Sequence, residues 1–200
     1  MSDRGEAAAY GIRAVRRDDA PGVLAAFESA PDMDRQGDVT DLASAEQYVA
    51  WLCELTRVSV AIDLDGLLVG LVAVTVDQAN RSGWVFYWLH ADHRGRGLMA
   101  RAVTTVCNDL LHPDRGQEMS SPETPVAGKL DRLELGHRVN NPESGAVARA
   151  AGFVQEGRER GKFLIDGERI DVLTYARLTT DPWPTTEPLP ASQHHSTPRC

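Results

Sequence analysis

One short segment carries residue types that could bind a phosphate group. It runs from Leu89 to Met99 (LHADHRGRGLM), between an apolar run and a helical pattern. Glycine lets a backbone approach a ligand closely, and the first N–H groups of a helix point toward an anion at its end. Arg94 and Arg96 add charged donors, which favour phosphate over a carboxylate metabolite. A turn of this composition can bind a pyrophosphate.

The same segment also fits other interpretations. A sharp surface turn with two solvated arginines would have this sequence as well. The segment lacks the Gly-Lys-Ser/Thr ending of an ATP-binding P-loop and the three-glycine fingerprint of dinucleotide-binding folds. Magnesium-nucleotide chemistry is therefore disfavoured.

The elements that must position this turn alternate along the chain. Alternating and β-branched runs predict strands, whereas capping residues and apolar spacing predict helices. The order is β α α β β β α β α β β, which predicts a mixed α/β sheet. Strands are expected over 12–16, 58–62, 67–76, 84–90, 129–139, 153–164 and 169–178. Two helices follow the first strand, and one helix follows each of the fourth and fifth strands.

Turn and capping residues mark several element boundaries. Asp65-Gly66 and Asp166-Gly167 are typical of tight hairpin turns. Ser44 with Gln47 predicts a capping box at the start of the second helix. Asn141, followed by Pro142 and Glu143, predicts the N-cap of the last helix.

Composition limits the class of protein. The chain has 200 residues, of which 42% are hydrophobic and 25% charged, and this predicts one soluble domain. The net charge of −8 argues against a nucleic-acid partner, and no apolar run is long enough to cross a membrane. Without a secretory signal pattern, a cytoplasmic protein is expected. Three cysteines without metal-ligand spacing predict reduced thiols and no metal site.

The domain is expected to occupy residues 11–179. Residues 1–10 predict a flexible N-terminus, and 113–128 predict a flexible insertion rich in Pro, Ser, Gly, Glu and Thr. Residues 180–200 hold five of the 11 prolines and predict a disordered tail.

Taken together, the motifs resemble those of the GNAT superfamily of acyl-CoA-dependent N-acyltransferases, and within it the RimJ/RimL-like branch of ribosomal-protein N-acetyltransferases. The resemblance rests on the loop from Arg94 to Met99, on Asn141 and Ser144 at a helix start, and on Gly152-Phe153 followed by Glu156-Gly157. It spans roughly residues 11–178. Two positions depart from the pattern: Met99 replaces a final Gly or Ala of the loop, and Phe163 stands where some members have a glutamate base.

The resemblance implies acetyl-CoA as the cosubstrate, bound where the strand at 84–90 splays from the strand at 130–138. Asn141 would bond the pantetheine arm, and Ser144 would return a proton to the leaving thiolate. The residues implied to bind the coenzyme are Leu89, His90, Ala91, Arg94, Gly95, Arg96, Gly97, Leu98, Met99, Asn141 and Ser144.

The acceptor is expected to be a primary amine, preferably a protein N-terminus. At pH 7 an α-amine is roughly 10 to 15% neutral but a lysine only about 0.04%, a difference of about 3 kcal/mol. A site without an evident base therefore suits the α-amine. If a base exists, the polar candidates on the flanking strands are Glu134, His137 and Tyr87, and Glu134 is taken as the catalytic candidate.

Three further points stay open at this stage. The acceptor could instead be a small amine such as an aminoglycoside or polyamine, which a site fringed with carboxylates would favour. The chain could also be a coenzyme A-binding regulator without turnover. Whether it forms a homodimer is open as well.

Overall fold

The computed structural model describes residues 10–112 and 130–193. The predicted flexible insertion at 113–128 and all but the last residue of the predicted N-terminal segment lie outside these ranges. Within them, the order of helices and strands is the predicted one, and three short 3-10 turns are added at Arg17–Asp19, Pro31–Gln36 and Ala91–His93.

The described residues form seven strands: β1 (Tyr10–Ala14), β2 (Arg57–Leu64), β3 (Leu67–Asp77), β4 (Ser82–Leu89), β5 (Arg132–Arg138), β6 (Val154–Ile165) and β7 (Glu168–Leu178). They lie in one mixed sheet in the order β1-β2-β3-β4-β5-β7-β6. The parallel pair β4–β5 joins two antiparallel parts, one of β1 to β4 and the other of β5, β7 and β6.

Four helices cover the sheet. They are α1 (Ala20–Glu28), α2 (Leu42–Leu52), α3 (Leu98–Leu111) and α4 (Pro142–Ala150). Helices α1 and α2 share one buried cluster with alternate residues of β2, β3 and β4, and α3 and α4 share a second cluster with the intervening residues. Since successive strand residues face opposite sides, the two helix pairs cover opposite faces of the sheet.

Both Asp-Gly hairpin turns are confirmed. The φ angles are 51° at Asp65, 90° at Gly66, 49° at Asp166 and 81° at Gly167. Positive φ at both central residues is the geometry that matches the twist of the flanking strands.

The predicted start of α2 is wrong by three residues. Asp41 is the N-cap: its Oδ1 accepts the backbone N–H of Ser44 at 2.8 Å, and the Ser44 hydroxyl accepts the N–H of Asp41 at 3.0 Å. A carboxylate accepts this N–H as well as a hydroxyl does, so a start at Leu42 satisfies the first turn.

The expectation of a disordered tail does not hold for residues 181–193. Residues 181–192, which we call the C-terminal strap, run along β1 and α3. Ile12 donates its N–H to the carbonyl of Pro190 at 2.9 Å and accepts one from Ser192 at 2.8 Å. Leu189 is only 2% exposed. The prolines lack N–H donors, but the residues between them find partners on the domain.

The thiols differ from the expectation in part. Cys107 is a free, buried thiol, and burial raises its pKa to about 12. Cys53 is disulfide-bonded, so the prediction of reduced thiols is wrong for that residue.

Candidate active site

A groove opens where β4 and β5 stop pairing. The parallel register runs from Ser82 opposite Arg132 to Trp84 opposite Glu134 and ends there. Beyond that point the strands leave a cavity of about 900 Å³. Its walls come from β4, β5, the start of α3, the first turns of α4, the turn at Pro31–Gln36 and the β6–β7 hairpin. The predicted gap between these two strands is confirmed.

The turn before α3 presents backbone donors at one end of the groove. Gly95 and Gly97 have φ angles of 74° and 72°, and no atom lies within 4 Å of where a Cβ would stand on either. The first backbone hydrogen bond of α3 runs from the N–H of Arg101 to Gly97 at 3.1 Å. In the part of the chain that the structure describes, the N–H groups of residues 95–100 have no acceptor. They can therefore bind an anion.

Most of the residues expected to bind the coenzyme line the groove. The set comprises Leu89, Arg94, Gly95, Gly97, Leu98, Met99, Asn141 and Ser144.

The structure does not bring His90, Ala91 and Arg96 to the groove. The N–H of His90 donates to Val69 at 2.9 Å, and that of Ala91 donates to the Ser29 hydroxyl at 3.0 Å. The Arg96 side chain donates to the Tyr10 hydroxyl at 3.0 Å. These donors are satisfied by the protein itself.

Arg94 lines the groove but its guanidinium is already engaged. It donates to both carboxylate oxygens of Asp32 at 3.0 Å and, through Nε, to the carbonyl of Leu89 at 3.0 Å. Arg94 therefore ties the glycine turn to the turn at Pro31–Gln36 on the other face of the sheet. This contact connects two walls of the groove.

The start of α4 places Ser144 in the groove. As predicted, Asn141 is the N-cap, and its Oδ1 accepts the backbone N–H of Ser144 at 3.2 Å. The Ser144 Oγ lies 2.8 Å from the hydroxyl of Tyr87, which also donates to the Ser144 carbonyl at 3.0 Å. Burial raises the pKa of Tyr87 to about 12, so this phenol stays protonated at neutral pH. Tyr87 is therefore a hydrogen-bond donor and not a base.

The structure does not bring Glu134 to the groove, contrary to its choice as the catalytic candidate. Leu133 and Leu135 point into the core, so the alternation of β5 turns Glu134 to the opposite face. The Glu134 carboxylate accepts a hydrogen bond from Arg132 Nε at 2.7 Å, and the Arg132 guanidinium also donates to Glu156. This ion-paired cluster lies where β4 and β5 still pair.

His137 lines the groove but both ring nitrogens have protein partners. Nδ1 lies 2.9 Å from the carbonyl of Arg138, an acceptor, so Nδ1 carries the proton. Nε2 faces the Tyr175 hydroxyl at 3.4 Å, and the two rings stack at 5.3 Å. Among the described residues flanking the groove, none of the three candidates offers an unengaged base.

Sequence reasoning missed one wall of the groove. The segment between Pro31 and Asp41 is polar and shows neither helical nor strand periodicity. Four of its residues nevertheless line the groove: Asp32, Met33, Arg35 and Gln36. Pro31 at the start of a 3-10 turn was the only local signal there. Their position depends on α1, α2 and the distant Arg94.

The described residues contain neither a cluster of metal ligands nor a membrane-spanning helix. No group of three or more His, Cys, Asp or Glu side chains there could hold a metal ion. Within residues 10–112 and 130–193, no helix has the length and apolar character needed to cross a membrane.

Comparisons with known proteins agree with this geometry. Residues 10–154 match the family described as the acetyltransferase (GNAT) domain. The putative ribosomal N-acetyltransferase YdaF of Bacillus subtilis (strain 168) is 26% identical over 62% of this chain and 61% of its own length. The ribosomal-protein-serine acetyltransferase of Escherichia coli (strain K12) is 28% identical over 56% of this chain and 55% of its own.

The chain therefore spans somewhat under two thirds of the length of these curated relatives. Among solved structures, RimL, a ribosomal L7/L12 α-N-protein acetyltransferase in complex with coenzyme A, superposes with a TM-score of 0.68 at 19% identity, over 86% of this chain and 95% of that one. At this identity the likeness shows the fold. With the family match over most of its length, the chain belongs to the GNAT acetyltransferase family.

Proposed function

We propose that this protein transfers an acetyl group from acetyl-CoA to the α-amine of a protein N-terminus. The observation that carries the proposal is the set of N–H groups of Gly95 and of residues 97–100, which lack acceptors in the described chain and line the groove that holds Ser144. An anion site beside a hydroxyl, in one groove, suits a phosphate-bearing thioester.

The groove has the features that coenzyme A requires. The positive end of α3 lies at the groove together with the amides of Gly95 and of residues 97–100, where a diphosphate would bind. Beyond Trp84, β4 has no strand partner on its β5 side. An extended pantetheine arm could bond to such an open strand edge, as peptides do when they add to a sheet. The volume of about 900 Å³ lies within the range of ligand sites.

The chemistry proposed is direct attack of a neutral amine on the thioester carbonyl. The C–N bond forms as the C–S bond breaks, and the nitrogen loses a proton to water. The sulfur takes a proton from Ser144, and the Ser144 oxygen regains one from water, so the protons balance over one turnover. None of Glu134, His137 and Tyr87 can serve as a free base in the described geometry. An α-amine, which is partly neutral at pH 7, needs less help than a lysine.

Charge at the groove favours a peptide over a polyamine. The carboxylates that line it are Asp32 and Glu143, whereas the arginines are Arg35, Arg94 and Arg138. Asp32 is already paired with Arg94. An excess of carboxylates, which a polycation would require, is not found among the described lining residues. The curated relatives named for acetylation of ribosomal proteins point to the same class of acceptor.

Free-thiol release from acetyl-CoA tests this proposal. One peptide has a free N-terminal serine; its control has the same sequence with a blocked N-terminus and one lysine. Thiol release with the first peptide, and acetylation of its α-amine by mass spectrometry, is the expected result. Spermidine is the third acceptor.

Other outcomes would contradict the proposal in distinct ways. Release with spermidine alone would identify a small-amine acetyltransferase. Thermal stabilisation by acetyl-CoA without release on any amine would indicate a regulator. Stabilisation by ATP and not by acetyl-CoA would overturn the coenzyme assignment itself.

A further inference from the structure

The hydroxyl pair formed by Tyr87 and Ser144 has more bonding options than one arrangement can use. Tyr87 has a single proton, and both the carbonyl and the Oγ of Ser144 lie within reach, at 3.0 Å and 2.8 Å. If Tyr87 donates to the carbonyl, the Ser144 hydroxyl donates to Tyr87. If Tyr87 donates to Oγ, the Ser144 proton is available to the groove.

From this geometry we infer that Tyr87 is a positioning residue that controls whether Ser144 presents its proton to the departing sulfur. The inference rests on the proposed function and extends it to a residue outside α4. Changing from one arrangement to the other needs only rotation of two hydroxyl hydrogens, which this partly buried pair can do without moving heavy atoms. The site can therefore hold the Ser144 proton until negative charge develops on the sulfur.

Donation by Tyr87 also makes Ser144 a better acid. When Ser144 gives its proton to sulfur, charge develops on Oγ, and a donor at 2.8 Å stabilises that charge. A phenol is the natural donor here, because burial keeps Tyr87 protonated across the working pH range. The hydrogen bond of Asn141 is to the main chain of Ser144 and not to its hydroxyl, because its Oδ1 accepts the backbone N–H of Ser144.

The positions of the two residues are set by separate elements. Tyr87 projects from β4 on the same face as Val85 and Leu89, which belong to the core under α3 and α4. Ser144 follows the N-cap of α4, 57 residues along the chain. The pair forms only where the splayed strand meets the helix start, so its place inside the groove is specific to the site.

A double-mutant cycle tests the inference, with kcat and KM measured for wild type, Tyr87→Phe, Ser144→Ala and the double variant. Tyr87→Phe should lower kcat about tenfold, the usual weight of one hydrogen bond, with KM for acetyl-CoA unchanged within about twofold. Ser144→Ala should lower kcat about a hundredfold. The double variant should match Ser144→Ala within about twofold, because Tyr87 acts through Ser144.

Tyr48→Phe is the matched control. Tyr48 is another partly buried tyrosine whose pKa is raised to about 12 by burial, but its hydroxyl accepts from Trp88 Nε1 at 3.1 Å and Tyr48 lies outside the groove lining. This variant should keep the wild-type kcat. Thermal unfolding of all variants checks that the fold is retained.

Three results would overturn the inference. An unchanged kcat in Tyr87→Phe is one, and a tenfold further loss in the double variant relative to Ser144→Ala is another. Either of these, with an active wild type, leaves the proposed function intact. A wild-type chain that releases no thiol with any acceptor overturns the proposed function and this inference together.

Discussion

The polar groups at the β1 edge of the sheet satisfy one another, whereas those at the start of α3 do not. Arg13, Asp19 and Asp63 are 6%, 6% and 1% exposed. Arg13 donates to Asp63 at 2.6 Å and to both oxygens of Asp19 at 2.7 and 2.9 Å. Ser192 of the strap completes the group with a 2.7 Å bond to Asp63. By contrast, the backbone N–H groups of residues 95–100 have no acceptor among the described residues.

The difference shows how polar groups divide between stability and binding. Burial alone would raise the pKa of Asp63, but hydrogen bonds from Ser192 and Arg13 outweigh it and hold that pKa below its usual value. The β1 network therefore stabilises the fold and has no bonding capacity left for a ligand. The turn before α3 instead leaves its backbone donors without protein acceptors in the described chain. Predictions that separate the two regions follow from this contrast.

Arg13→Ala should have the largest effect, on stability. It leaves two buried carboxylates without their cation, a change that costs about 3–5 kcal/mol and lowers Tm by about 10 °C in a chain of this size. Arg17→Ala, on an exposed arginine nearby, is the control and should leave Tm unchanged. Equal Tm values for the two variants would show that the network does not stabilise the fold.

Leu189→Ala tests whether the strap is part of that stabilising region. The side chain packs in the core beside α3, and its N–H donates to the Thr105 hydroxyl at 2.9 Å. Truncation should cost about 2–3 kcal/mol, measured by urea unfolding. Leu55, which is 71% exposed, provides the matched leucine, and Leu55→Ala should cost little. Equal free energies of unfolding for the two variants would indicate that the strap is detached from the domain in solution.

Gly97→Ala should weaken acetyl-CoA binding about tenfold while changing stability by only about 1–2 kcal/mol. Relief of the left-handed φ would turn the amides of the loop away from the groove. Gly167→Ala introduces the same strain, since Gly167 has a φ of 81° and open space around it, but in a distant hairpin. Calorimetry should find the Kd of Gly167→Ala unchanged. Matching losses of affinity in both would contradict a backbone anion site.

Asp109→Asn should change Tm by the smallest amount, and the change should depend on pH. Asp109 has no hydrogen-bond or ion-pair partner among the described residues, and burial raises its pKa to about 6. Its charge near the C-terminus of α3 also opposes the helix dipole. A raised pKa in a folded acid means a penalty that is absent below the unfolded pKa and complete above about pH 6.

The Tm of Asp109→Asn should therefore be higher than that of wild type at pH 8, and the two Tm values should be equal at pH 4. Thermal unfolding across this pH range measures it. A gain that does not vary with pH would assign the effect to helix propensity and not to an unpartnered charge.

Local sequence predicted the elements whose causes are local. The order of helices and strands, the two Asp-Gly turns and the N-cap at Asn141 depend on neighbours within a few residues, and the structure has all of them. The glycine turn belongs to the same group, because strand, turn and helix follow one another in the chain. Its position at one end of a groove then follows from the fold.

Long-range contacts decided the features that the sequence did not reveal. The strap has a proline-rich composition typical of disorder, yet Ser192 bonds to a residue 129 positions away. Glu134 is a plausible base by type, but the pairing of β5 with β4 and β7 sets which face it occupies. The partner of Arg94 is likewise 62 residues distant.

The amino-acid sequence by itself determined the order of elements and the glycine turn in front of a helix, since glycine conformation and helix-end donors are properties of short segments. Only the tertiary structure decided which donors stay unsatisfied and which side chains meet across the groove. A hydrogen bond depends on where two groups lie in space, and that position is set by the packing of the sheet and its helices.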